Sequence, residues 1–453
     1  MTDSYDFIIV GGYYAWYRPD LDFGHLTTPQ TSLKGQVLPY LRGKGPGGCS
    51  NVNFLTYLRG AGEDYNFWAE LVGDESWKWE HTLRRFKEIE TFHADLSEDM
   101  KKYSNPLPEY HGYDGPLHVS LPAQLEAGVS ELFDAAARYG LPLNTDPNSG
   151  NPIGMSLPPT TTYKSYRWTS ESIYTNYRPA NLKMVTDIKI AKVIFENKVA
   201  VGVETVDGRK FTANQEVILS AGAFDTPKIL LLSGIGPTQE LTQHNIETLH
   251  DLPGEHLAKD SVPHYEAFLA GPHFPPTYVI PEGTSYLSIV VCLMNMQSKG
   301  EVTLKSANAT NHPVIDPNYM SHPFDRKMLT LAIRETMKFF ESGAILQEFK
   351  AYVLALRSQS DEDIHEFIDE NLLPVFHANG TVKVGKSDDP TACTGKDFRV
   401  YGVEKLRVVD LSVCPMTPNN HSQPTAYLVA QTAAEKVIAE YGGQVNGTLK
   451  VNN

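Results

Sequence analysis

The sequence predicts an α/β protein with strands and helices in mixed order (α+β in part), and three observations predict it. First, the apolar run Phe7 to Val10 ends directly in Gly11 and Gly12, as a strand does on entering the phosphate-binding turn of a dinucleotide fold. Second, residues 190 to 235 alternate apolar and polar and pass through Asp207-Gly208, a strong hairpin signal. Third, the strand EVILS runs into Ala221-Gly222-Ala223 and then into a helical stretch.

Taken in order, KVAVGVETV and KFTAN are the two arms of the hairpin, and EVILS is the next strand. The helix after it takes Asp225 or Thr226 as N-cap, Pro227 at its first position and Gly234 just past its end. Such a junction aims free N–H groups and the positive end of a helix at whatever lies above the strand. Residues 104 to 165 and 252 to 286 are proline-rich and read as irregular. DRKMLTLAIRETMKFFES, residues 325 to 342, has apolar side chains near helical spacing, as a helix packed by one face does. A last helix begins after Asn419 and Asn420 and stops at Gly442.

The chain has 453 residues, enough for two or three domain-sized cores. Its 39 basic and 54 acidic side chains leave a net charge of −15, which repels nucleic acid and anionic membrane alike. Neither partner is expected. With no basic N-terminal signal and no apolar stretch of bilayer length, the expected location is cytoplasmic. The four cysteines contain no C-x-x-C pair, the histidines lack metal-site spacing, and no metal is expected.

GKGPGGCSNVN, residues 43 to 53, concentrates glycine in one loop; by itself it suits a tight turn as well as an anion-binding nest. With TTPQ upstream and YLRGAGEDYNFWAEL downstream, it resembles the glucose-methanol-choline (GMC) family of flavoprotein oxidoreductases. Pro46 and Cys49 depart from the family pattern. GAFDTPKILLLSGIG, Gly222 to Gly236, is similar to the family's other signature. VFHANGTVKVG and LRVVDLSVCPMTPNNHSQPTAYLVAQTAAEKVI resemble its two histidine segments.

That resemblance implies an FAD-binding fold of discontinuous segments plus a substrate domain with an antiparallel sheet that includes YLSIVVCLM and GEVTLKS. The FAD-binding parts are expected at 1–98, 179–260 and 376–453, and the substrate parts at 99–178 and 261–375. It implies His377 and His421 as catalytic residues acting on a small-molecule alcohol. Gly11, Gly12, Gly47, Gly48, Asn53, Phe54, Thr56, Ile190, Ala221, Gly222, Asp410 and Pro424 are its implied FAD contacts. An alcohol is oxidised by loss of its hydroxyl proton to a base and of its carbinol hydride to the flavin; neutral imidazole suits the proton step. A lyase or cyclase using the same histidines, and a remnant with impaired FAD binding, are the rival readings.

The opening turn departs from this pattern. Where G-x-G-x-x-G needs its second and third glycines, the chain has Tyr13 and Trp16. Only Tyr13 to Leu26 separate Gly12 from TTPQ, whereas the usual β-α-β unit takes ~30 residues and places its ribose-binding acid ~20 beyond the glycines. The helix, the second strand and that acid are expected to be missing. The segment before SKGEVTLKS reads as shortened too.

Overall fold

The longer strands of the central sheet carry the β-branched and aromatic residues that suit a pleated, buried surface. The computed structural model describes residues 3–10, 19–51, 53–125, 128–252, 263–270, 288–342 and 356–442. Five strands form this sheet: β1 (Asp3–Val10), β2 (Ile190–Glu196), β3 (Val199–Thr205), β4 (Lys210–Leu219) and β5 (Leu406–Val408). The order is β1-β4-β3-β2, with β5 beside the last residues of β4. β1 and β5 run parallel to β4, and the β2-β3-β4 meander is antiparallel.

The hairpin turns at Asp207-Gly208 as the sequence indicates, with Gly208 at φ +83°. The separate strands KFTAN and EVILS are one strand, β4, whose pairing with β1 shifts register between Tyr5 and Phe7. A bulge of this kind lets a strand change neighbours along its length without ending.

The next helix, α2, starts at Gly222 rather than beside Pro227, and Pro227 lies inside it. (The helix Gly62–Val72 is α1.) A proline in a helix leaves the carbonyl four residues earlier without its N–H donor. Here that carbonyl, Ala223 O, accepts from the Thr381 hydroxyl at 2.8 Å, so a tertiary contact satisfies what the helix cannot. Gly234 follows the helix at φ +82°, as expected of a glycine past a C-terminus.

Among the described residues, YLSIVVCLM and GEVTLKS each lie in an antiparallel ribbon: Ser288–Leu293 pairs with Tyr265–Ala270, and Glu301–Thr303 pairs with Val314–Asp316. A further expectation is corrected. The region 104 to 165 contains the helix Val129–Tyr139, bracketed by Gly128 and Gly140; the prolines on either side obscure its short apolar face. The remaining long helices follow the sequence closely, Pro323–Glu341 and α3 (Gln423–Tyr441) with Gly442 as its C-cap.

The main core lies between the sheet, α1, α2 and α3. Beside it Arg59, Glu90, His111 and Asp146 form a buried ionic cluster, with Arg59 Nη2 2.5 Å and His111 Nδ1 2.9 Å from Glu90 Oε1. His111 Nε2 lies 3.4 Å from Asp146. Burial works to raise the Glu90 carboxyl, yet Arg59 and His111 outweigh it and hold it low. Burial also opposes the charge on His111, while Asp146 and Glu90 raise its pKa. The Glu90 contribution is therefore lost as pH falls through its depressed folded value, and that of His111 as pH rises through its elevated one. Glu90→Gln, which leaves the Arg59 guanidinium buried beside a neutral amide, should cost about 3–5 kcal/mol in denaturant unfolding. A loss below about 1 kcal/mol would show that the cluster relaxes around the change.

Candidate active site

The parallel pairing places three chain segments at one edge. Val10, Leu219 and Val408 are register partners across β1, β4 and β5, so the three strands end together at the carboxyl end of the sheet, where open α/β sheets bind ligands. Gly11 and Gly12 follow β1 and lie outside the described residues. Ala221 and Gly222 follow β4 and open α2, and Asp410 follows β5. Asp410 Oδ2 accepts from Gly222 N at 2.9 Å and from the Thr226 hydroxyl at 2.6 Å. Asp410 thus caps α2 and ties two strand ends together.

The glycine-rich loop passes through positive φ at Gly45, Gly47 and Gly48. A Cβ on Gly47 would lie 2.1 Å from Asn51 Oδ1, so the loop closes tightly on itself. Asn53 Nδ2 donates to Gln423 Oε1 at 2.8 Å, joining this loop to the start of α3 beside Pro424. Arg167 Nη1 holds Asn53 from the other side, at 2.9 Å from both its carbonyl and its Oδ1. Thr56 forms a backbone bridge with Thr160, Phe54 is 66% exposed, and Ile190 opens β2 at the sheet edge opposite β1.

His377 and His421 meet edge to face, with ring centroids 5.3 Å apart. Each is held by its loop. Asn379 Nδ2 donates to His377 O at 2.9 Å and to the Thr417 hydroxyl at 3.0 Å, linking the two loops. Phe376, just before His377, has φ +63°, a strained conformation for a bulky residue. Arg42 Nη1 holds its carbonyl at 2.7 Å. The loop before His421 is pinned from RGAGEDY: Asn419 N donates to Asp64 at 2.7 Å, and Asn420 Nδ2 donates to Arg59 O and Thr425 Oγ1. At Gly60 a Cβ would come within 2.8 Å of Asn419 O, so glycine is required there. Burial pushes the Asp64 carboxyl up to about 6, against the lowering effect of its bonds to Asn419.

Electrostatics separate the two histidines. Desolvation, then the charges of His421 and Arg42, lower the pKa of His377 to about 3, so it is uncharged in any ordinary buffer. His421 instead faces a carboxylate, with Nε2 3.2 Å from both oxygens of Glu266, and the Phe268 ring stands edge-on to it at 6.0 Å. The sequence reading missed Glu266, Phe268 and Arg42. Glu266 sits in a short strand beside a proline-rich stretch, and nothing in its spacing links it to a histidine 155 residues further on.

Models of GMC oxidoreductase, N- and C-terminal, match residues 5–258 and 296–430. The chain belongs to the GMC oxidoreductase family. It is 30% identical to an alcohol dehydrogenase [acceptor] of Pseudomonas putida over 92% of this chain and 86% of the relative, and 30% identical to a mitochondrial choline dehydrogenase of Mus musculus over 93% and 78%. Those alignments run to 488 and 491 positions, more than the chain itself has, so GMC relatives carry segments that it lacks. In fold it is similar to formate oxidase (TM-score 0.87, 23% identity, 97% of this chain and 99% of the other). It is also similar to pyridoxine 4-oxidase from Mesorbium loti (TM-score 0.82, 21% identity, 96% and 99%).

The GMC cofactor is FAD, and the residues at the flavin end fit it. The N-terminus of α3 carries no side-chain cap, which leaves its positive end available to the charge of a reduced flavin. Asn51 Oδ1, in the glycine-rich loop, is buried without a hydrogen-bond partner, as expected where a polar ring system completes a site. Among the described residues no helix is long and apolar enough to cross a membrane.

Proposed function

We propose that this GMC oxidoreductase oxidises an alcohol to a carbonyl, with His421 as the base and His377 as the residue that holds the substrate oxygen. The observation that carries this reading is the asymmetry of the pair, one imidazole uncharged and the other backed by Glu266. FAD, when bound, supplies the hydride acceptor. His421 takes the hydroxyl proton, and Glu266 stabilises the imidazolium that results, as a carboxylate does in a catalytic triad. His377 donates an N–H to the oxygen as negative charge develops on it. The family relatives named as alcohol and choline dehydrogenases support a CH–OH donor.

Mixing the yellow protein with candidate alcohols under anaerobic conditions tests the reading. Bleaching of the flavin with formation of a carbonyl is the expected result. Colour that no alcohol bleaches, accompanied by non-redox turnover, would favour the lyase reading instead. Glu266→Gln keeps a hydrogen-bonding group but removes the charge, and should lower kcat about tenfold, or ~1.4 kcal/mol, with KM little changed. An unaltered kcat would take Glu266 out of the proton step.

A further inference from the structure

We infer that this chain grips its cofactor by the flavin half alone, so that FMN and FAD bind it with similar affinity. The inference rests on the flavin reading above and concerns the other end of the molecule. In a dinucleotide fold the adenosine ribose is bound by an acid on a strand that follows the first strand through a helix. A parallel neighbour for β1 needs a crossover of a dozen or more residues in addition to the strand itself. Between Val10, the end of β1, and the 3₁₀ turn that starts at Pro19 the chain has eight residues.

After that turn the chain is already committed elsewhere. Bridges Asp22 to Gly43, Leu26 to Pro39 and Gln30 to Gln36 make residues 22–43 one long antiparallel ribbon. Its tip is fastened to the Val314–Asp316 strand, through Thr28 N to Ile315 O at 2.8 Å and Gln30 Nε2 to Asp316 at 2.9 Å. Asp22 stands in the ribbon opposite Gly43 rather than at the end of a strand beside β1, with its Oδ1 accepting from Arg42 N at 3.0 Å. Among the described residues β1 pairs with β4 alone, leaving it at the sheet edge where the acid-bearing strand would stand.

Flavin exchange on the intact holoprotein tests this. The protein is dialysed to equilibrium against FAD and FMN mixed at ratios from 100:1 to 1:100, and the flavin released on denaturation is separated and quantified. Equal occupancy is expected within a tenfold range of an equimolar mixture, and Asp22→Asn should leave that ratio unchanged. Retention of FAD against more than a tenfold excess of FMN would overturn the inference, since each factor of ten is roughly the worth of one good hydrogen bond to the adenosine half. So would a loss of FAD preference in Asp22→Asn, or a protein that takes up neither flavin. The readout is bound flavin, so an enzyme that oxidises no alcohol would leave the inference standing.

Discussion

His421→Ala should lower turnover by about 10²-fold or more, the scale of a positioned acid-base group, while the protein keeps its flavin colour. The colour is expected to persist because the α3 N-terminus and the Asn53–Gln423 bond do not depend on the imidazole. The loop that carries His421 is fixed by Asn419 and Asn420 against Asp64, Arg59 and Tyr65, so truncation removes a reactive group without releasing its support. Loss of the base also leaves Glu266 without the imidazole it faces. His421→Ala and the double variant with Glu266→Gln should therefore be equally slow, because the carboxylate acts only through the imidazole. Stopped-flow reduction of the flavin by substrate measures the step directly. A reduction rate within threefold of the parent would remove His421 from the proton transfer.

The second large effect is expected at His377. His377→Ala should slow flavin reduction by a comparable factor and also weaken binding of a carbonyl product analogue, because the residue holds oxygen in substrate and product alike. A rate loss with unchanged affinity for the analogue would reverse the two roles. The pH profile gives an independent check. His377 is held neutral down to about pH 3 by desolvation and by the neighbouring His421 and Arg42 charges. An acid limb in kcat/KM between pH 5 and 8 is therefore not its titration, and the limb's midpoint should be the same in His377→Gln as in the parent. A limb that vanishes in that variant would show that His377 is charged in the free enzyme.

Local sequence was most legible where one residue type is forced by backbone geometry. Asp207-Gly208 turns the hairpin, Gly234 and Gly442 end their helices, and each does so at positive φ, which glycine alone adopts at little cost. The α2 start was misread for the converse reason. Pro227 suits a first helical turn, and only the distant Thr381 hydroxyl makes it tolerable further inside.

The sequence by itself determined the sheet's first strand, the glycine loop, both histidines and the shortness of the segment between β1 and the ribbon, because motif spacing and chain length are properties of the chain alone. The tertiary structure decided which groups meet. Glu266 reaches His421 across 155 residues, Arg42 reaches Phe376 across 334, and Asp410 ties the end of β5 to the start of α2 across 188. Contacts of such separation leave no period in the sequence, since their closure is set by the packing of the whole core rather than by the residues on either side.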